Sequence, residues 1–141
     1  MKRIVGIDYG KVRIGLAVSD PSQIIASPLK AVIAKPSLKE TATLLLQEIS
    51  MYEPVEKIVL GLPLMMNGKE SPSSKEVREL AKFLEGMTDK TIVLWDERLT
   101  TAQVERTLKE AKMRRKKRTQ YIDAMAAAAI LQNFLDSPSN K

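Results

Sequence analysis

The sequence predicts an α/β fold: a mixed five-stranded sheet, three antiparallel strands followed by two parallel ones, with helices packed on it. Three observations lead there. Short β-branched runs crowd the segment before Ala34, with turn-sized gaps between them. Two later runs are each reached through an amphipathic helical stretch. The length of 141 residues suits one domain. Short gaps make hairpins and hence antiparallel pairs, whereas helical crossovers make parallel ones.

Taken in order, RIVGID and RIGLAVSD read as strands around the turn YGKV, with Gly10 able to take a positive φ. IIASPLKAVIA is a third strand, and Pro28 marks it as an edge or an irregularity. SLKE, Ser37 to Glu40, is a capping box. It opens a helix to about Tyr52 with Leu38, Ala42, Leu45 and Ile49 inward, ended by Pro54. VEKIVLGL is the fourth strand, and the breaker-rich PLMMNGKESP is a loop. SSKE, Ser73 to Glu76, predicts a second capping box. Val77, Leu80, Ala81 and Leu84 then follow helical spacing, with Gly86 as the stop. TIVLW is the fifth strand and ends at DER; TTAQ is a third cap-like start. TQYIDAMAAAAILQNFLD is a helix apolar on nearly every face. One domain over residues 1–136 is expected, with 137–141 a frayed tail.

Composition narrows the chemistry. With 44% hydrophobic and 28% charged residues, the chain has ordinary globular usage and does not read as disordered. No apolar run approaches the ~20 residues of a membrane span, and no signal-peptide pattern opens the chain, so a cytoplasmic location without membrane contact is expected. There is no Cys and no His. That excludes disulfides, thiolate zinc sites, Cys nucleophiles and a Ser-His-Asp triad. A bound metal should then be a hard, oxygen-seeking ion such as Mg²⁺ or Mn²⁺. The net charge of +6 is concentrated: KMRRKKR, Lys112 to Arg118, holds six basic residues and no acid, and the rest of the chain is balanced. Such a stretch fits nucleic-acid phosphate, although a solvated loop would also be basic.

Three carboxylates sit where a simple core pattern would not put them. Asp8 ends the first strand, Glu97 (with Asp96 beside it) ends the last, and Asp123 lies inside the apolar final helix. Singly, each has an ordinary reading: a turn former, an exposed strand-end pair or a partner for Arg98, and an anion near a helix N-terminus. Together, they would repel one another if the fold brings them close, and a divalent cation would remove that repulsion using the same oxygens.

The stretches GIDYGKVRIGLAVSD, VLGLPLMMNGKES, WDERLTT and YIDAMAAAAILQNFL resemble, in order, the four blocks of the YqgF (RuvX-like) family, over about residues 2 to 135. Members are described as Holliday junction resolvases or as nucleases that mature the 5′ end of pre-16S rRNA. The resemblance implies a ribonuclease H-like fold and a catalytic, metal-binding set of Asp8, Glu97 and Asp123. It differs from the distant RuvC resolvases at Gln120, where they carry another acid, which leaves a second metal with fewer ligands. The expected activity is Mg²⁺- or Mn²⁺-dependent phosphodiester hydrolysis, with one or two ions. Lys11 and Arg13 are candidates for phosphate contact, as are Lys112, Arg114, Arg115, Lys116, Lys117 and Arg118. Processing of pre-16S rRNA is the leading expectation. A four-way-junction resolvase and a non-catalytic, nucleic-acid-binding ribosome-assembly factor stand as alternatives. An actin-like phosphotransferase, also suggested by D-x-G, needs two lobes that the chain cannot hold. A monomer is favoured over a homodimer.

Overall fold

A computed structural model describes residues 1–65, 67–99 and 116–140. Five strands form one sheet: β1 (Arg3–Asp8), β2 (Arg13–Ser19), β3 (Ala26–Ile33), β4 (Val55–Leu62) and β5 (Thr91–Asp96). Their spatial order is β3-β2-β1-β4-β5. β1 pairs antiparallel with β2, and β2 with β3, as the two short gaps dictate. The helical crossovers set β4 parallel to β1 and β5 parallel to β4. The chain's first strand is therefore the central one.

Among the described residues the α-helices are α1 (Leu38–Ile49), α2 (Pro72–Met87) and α3 (Lys116–Asp136). α1 and α2 cover one face of the sheet, where Val5, Ile7, Leu16, Ile58 and Leu60 pack with Leu45, Ile49, Val77 and Leu80. α3 covers the other, where Ile4, Ala17 and Val59 meet Ala127, Ile130, Leu131 and Phe134. With layers on both sides, β1 is buried from Ile4 to Asp8 and β4 from Ile58 to Leu62. This explains their unbroken apolar runs. β3 forms one edge. Its Pro28 stands opposite Ala17, where the register shifts, so the missing N–H disturbs the ladder least.

Some boundaries differ from the sequence expectation. Ser37 caps α1 as expected, accepting from the Glu40 amide. α2 begins earlier than Ser73. Ser71 is its cap, Pro72 supplies the preset φ of the first turn, and Ser71 and Ser74 bond reciprocally. Gly86 does not stop α2, which runs to Met87 with Thr88 as C-cap. Gly10 does not take a positive φ, which among the described glycines belongs to Gly68. What position 10 needs is room, since a Cβ there would lie 2.4 Å from the Arg13 carbonyl oxygen. α3 starts at Lys116, ahead of Thr119. Beyond it Pro138–Asn140 forms a 3₁₀ turn, with the Ser137 amide donating to the Phe134 carbonyl. The cap proposed at Thr100 lies outside the described residues.

Candidate active site

Asp8 closes the central strand and is only 4% exposed. Strand side chains alternate, so Ile4, Gly6 and Asp8 point to the α3 face while Val5 and Ile7 point to the α1/α2 face. On one side Asp8 is paired with Gly15 of β2. On the other, Ile7 is level with Leu60, and Gly61 follows it at the level of Asp8. The buried acid thus stands between two glycines.

Those glycines admit the two other acids. A Cβ on Gly15 would sit 1.9 Å from the backbone oxygen of Asp123, so α3 crosses β2 in the space that a side chain would fill. Gly6 supports the same close approach further along, its added Cβ lying 2.7 Å from the Leu131 Cβ. The alanine-rich surface of α3, with Ala124 and Ala126 to Ala128 buried, is the complementary half of that fit. A Cβ on Gly61 would lie 3.0 Å from Glu97 Cγ and 2.6 Å from Ile130 Cδ1. Glu97 opens the 3₁₀ turn Glu97–Leu99 after β5 and is also 4% exposed. Its side chain thus lies over the end of β4, level with Asp8. The three predicted acids arrive at one end of the sheet, on one face. Among the described residues, no three acidic side chains are gathered closely enough to hold an ion as they stand.

The electrostatics separate the acids. Burial, with Asp96 next to it, pushes the Glu97 carboxyl up to about 7. Asp96 itself is held below the usual range by its hydrogen bonds with Arg98. The Arg98 guanidinium forks onto it, Nε at 3.1 Å from both carboxylate oxygens and Nη2 at 2.7 Å from Oδ2. Neighbouring carboxylates thus take different roles, Asp96 engaged by Arg98 and Glu97 buried over β4. Arg98 also sits against the β4–α2 loop, its Nη1 3.4 Å from where a Gly68 Cβ would be.

Of the predicted phosphate contacts, Arg13 opens β2 and its Nε donates to Asp123 Oδ2 at 3.1 Å. Lys11 lies in the β1–β2 turn, largely exposed, 3.8 Å from Glu76 of α2. Tyr9 donates its hydroxyl to the same Glu76 at 3.0 Å, and burial with that carboxylate pushes the phenol up to about 12. The pattern offers Arg98 as a partner for the Asp96–Glu97 pair, and the fork onto Asp96 is that pairing. Glu76 it does not single out, since nothing in the spacing selects it. Lys112, Arg114 and Arg115 lie outside the described residues. Lys116, Lys117 and Arg118 open the backbone of α3, and their side chains lie outside the description. Trp95 is structural: its indole N–H donates to Asn133 Oδ1 at 2.9 Å and its ring meets Phe134 edge-on. Met66 lies outside the described residues, and Met65 is half exposed in the loop after β4.

The donor set suits a hard divalent cation. It is all carboxylate, in a chain without His or Cys. It includes a buried Glu97 whose ionised form burial and Asp96 oppose, and which a cation would favour.

The chain matches the RuvX family, described as Holliday junction resolvase, over residues 2–137. Its relatives include a Protochlamydia amoebophila protein named "Putative pre-16S rRNA nuclease", 46% identical over 140 residues and covering 96% of this chain and 93% of the relative. A Paramagnetospirillum magneticum protein of the same name is 44% identical over 138 residues, covering 98% and 88%. Among solved structures, T. thermophilus RuvC in complex with a Holliday junction superposes with a TM-score of 0.56 at 14% identity, covering 96% of this chain and 94% of RuvC. The fowlpox virus Holliday junction resolvase gives 0.55 at 11% identity, covering 95% and 98%. At such identities the likeness is one of fold, and the fold is ribonuclease H-like.

Proposed function

This chain belongs to the RuvX family, and from that premise we propose that it is a divalent-metal-dependent nuclease acting on structured nucleic acid, with the 5′ end of pre-16S rRNA as its substrate. The observation that carries the reading is the arrangement around Asp8. A buried carboxylate at the end of the central strand is flanked by two glycines, and over each glycine lies an element bearing another acid. The names of its relatives, at 40–46% identity, favour RNA.

Asp8, Glu97 and Asp123 would hold the ion, and Mg²⁺ or Mn²⁺ suits their oxygens. Such an ion supplies Lewis-acid stabilisation of the phosphate and of the leaving oxygen, and makes water a nucleophile near neutral pH. The chain's own residues do the rest. Asp8, on a strand paired on both sides, is the rigid member of the set. Arg98 engages Asp96, and Glu97 lies buried over the end of β4. Lys112 to Arg118 hold the substrate backbone by charge, and Lys11 and Arg13 stand at the same end of the sheet. Binding by backbone and shape suits a chain with only 4% aromatic residues, too few for a base-stacking platform.

The test is side-by-side cleavage of a structured pre-rRNA fragment and a four-way DNA junction by the purified chain, with Mg²⁺, with Mn²⁺ and with EDTA. The rRNA fragment should be cut in either metal and not in EDTA. Asp8→Asn should lose at least about a hundredfold in rate, the loss of roughly 3 kcal/mol of transition-state stabilisation, while still binding the fragment. Preference for the junction would overturn the substrate assignment. Metal-independent binding with no product from either substrate would favour an assembly factor.

A further inference from the structure

Arg13 is poised between two partners. It opens β2, two residues before Gly15, so both face α3. Because Gly15 brings the backbone of Asp123 onto β2, the Asp123 carboxylate comes within reach of the residue two places earlier. Nε donates to Oδ2 at 3.1 Å. Asp123 is largely covered, with 14% of its side chain exposed, while Arg13 retains 36%. The pair is thus at the mouth of the site, its carboxylate inward and its guanidinium reaching solvent. A guanidinium carries five N–H donors and suits phosphate as well as carboxylate.

We propose that Arg13 is a counter-ion latch, its guanidinium holding Asp123 in the metal-free protein and passing to a substrate phosphate once a divalent cation takes that carboxylate. The inference rests on the metal site proposed above. A cation and a guanidinium compete for one carboxylate, and like charges at such range repel. The latch therefore lowers metal affinity in the absence of nucleic acid. When phosphate draws Arg13 away, metal affinity rises, and by reciprocity bound metal favours phosphate binding. The ion would then bind most tightly when substrate is present. A residue that merely oriented Asp123 toward a metal would have the opposite effect on affinity.

Calorimetric titration of the full chain with MnCl₂, repeated with MgCl₂, separates these cases. Arg13→Gln should bind the ion roughly three- to tenfold more tightly than wild type, as expected for loss of a part-exposed competing charge. Arg13→Lys, which keeps the charge, should stay near the wild-type affinity. In parallel, the Arg13 Nε–H resonance should shift as Mg²⁺ saturates the wild-type protein, a readout that needs no variant to fold. Equal or weaker binding by Arg13→Gln with an unchanged unfolding midpoint overturns the latch, as does a resonance indifferent to saturating Mg²⁺. Absence of any Mn²⁺ or Mg²⁺ binding to wild type overturns the metal site itself, a result distinguishable from failure of the latch alone.

Discussion

Glu97 gives the structure's most quantitative test. Its carboxyl rises from 4.5 to about 7 on folding, first through burial and then through Asp96. Below pH 4.5 the group is protonated folded or unfolded, and its contribution to stability is fully present. Between pH 4.5 and 7 the unfolded chain releases the proton while the folded chain keeps it, so stability falls. Above 7 the loss is complete. At about 1.4 kcal/mol per pH unit, the shift amounts to about 3 kcal/mol. Glu97→Gln does not titrate, so the variant's stability relative to wild type should climb by that amount between pH 4.5 and 8. For a chain of this size this corresponds to a relative gain of roughly 6–12 °C in melting temperature. The assay is urea unfolding followed by circular dichroism at several pH values in EDTA. A constant offset between the proteins reflects the cost of placing an amide there and is not the signal; the change in offset is. A gap that stays flat within about 0.5 kcal/mol from pH 4.5 to 8 would refute the reasoning, because the carboxylate would then be as comfortable folded as unfolded. Saturating Mg²⁺ at pH 8 should stabilise wild type more than Glu97→Gln, since a ligand that binds only the folded state adds to its stability.

Further outcomes test the packing and the charge. Gly15→Ala should cost about 1–3 kcal/mol or more in urea unfolding, because its Cβ would meet a backbone oxygen that cannot yield without moving α3. Gly86→Ala, in the exposed last turns of α2 with nothing within 4 Å, should instead stabilise by about 0.5–1 kcal/mol. Replacing Arg114 and Arg115 by Ala should lower the slope of log binding constant against log salt by about 1.4–1.8, if each meets one phosphate. An unchanged slope removes those two residues from the interface.

The sense of the strand pairs was legible because local signals agree with it, whereas their spatial order, with β5 at an edge, was not. Turn-length gaps before Ala34 force hairpins, and capped amphipathic stretches between later strands force crossovers. Boundaries were less legible where two signals compete. Ser71 and Ser73 both precede an apolar helical pattern, and Pro72 decides for Ser71 by presetting the first turn. Gly86 resembles a stop, yet α2 continues because Leu84 accepts from the Thr88 amide one turn on. In the site, the acids stood out as charges in apolar contexts. Arg98, two residues from Asp96, was legible as a partner; the distant partners were not, because their pairing is set by the tertiary fold. Arg13 and Asp123 are 110 residues apart, and Tyr9 and Glu76 are 67 apart. Their types allow the pairing, and only the crossing of α3 over β2, or the docking of α2 near the β1–β2 turn, selects it.

The position of Asp8 shows how topology and side-chain parity jointly build the site. β1 is central, between an antiparallel and a parallel neighbour. The end of β1 therefore lies beside both the start of β2 and the end of β4, and each neighbour contributes a glycine there. A side chain at position 8 faces α3, the layer that carries Asp123. A carboxylate one residue later would face the opposite layer, and Tyr9 does so, reaching Glu76 of α2. The same parity puts Arg13 and Gly15 on the α3 side of β2. The acid, the gap that admits its companion and the base that engages that companion thus follow from one register, Asp8 against Gly15. Slipping β2 by one residue against β1 would turn both Arg13 and Gly15 away from α3 while Asp8 stayed. This is why the site belongs to the sheet's register rather than to any single side chain.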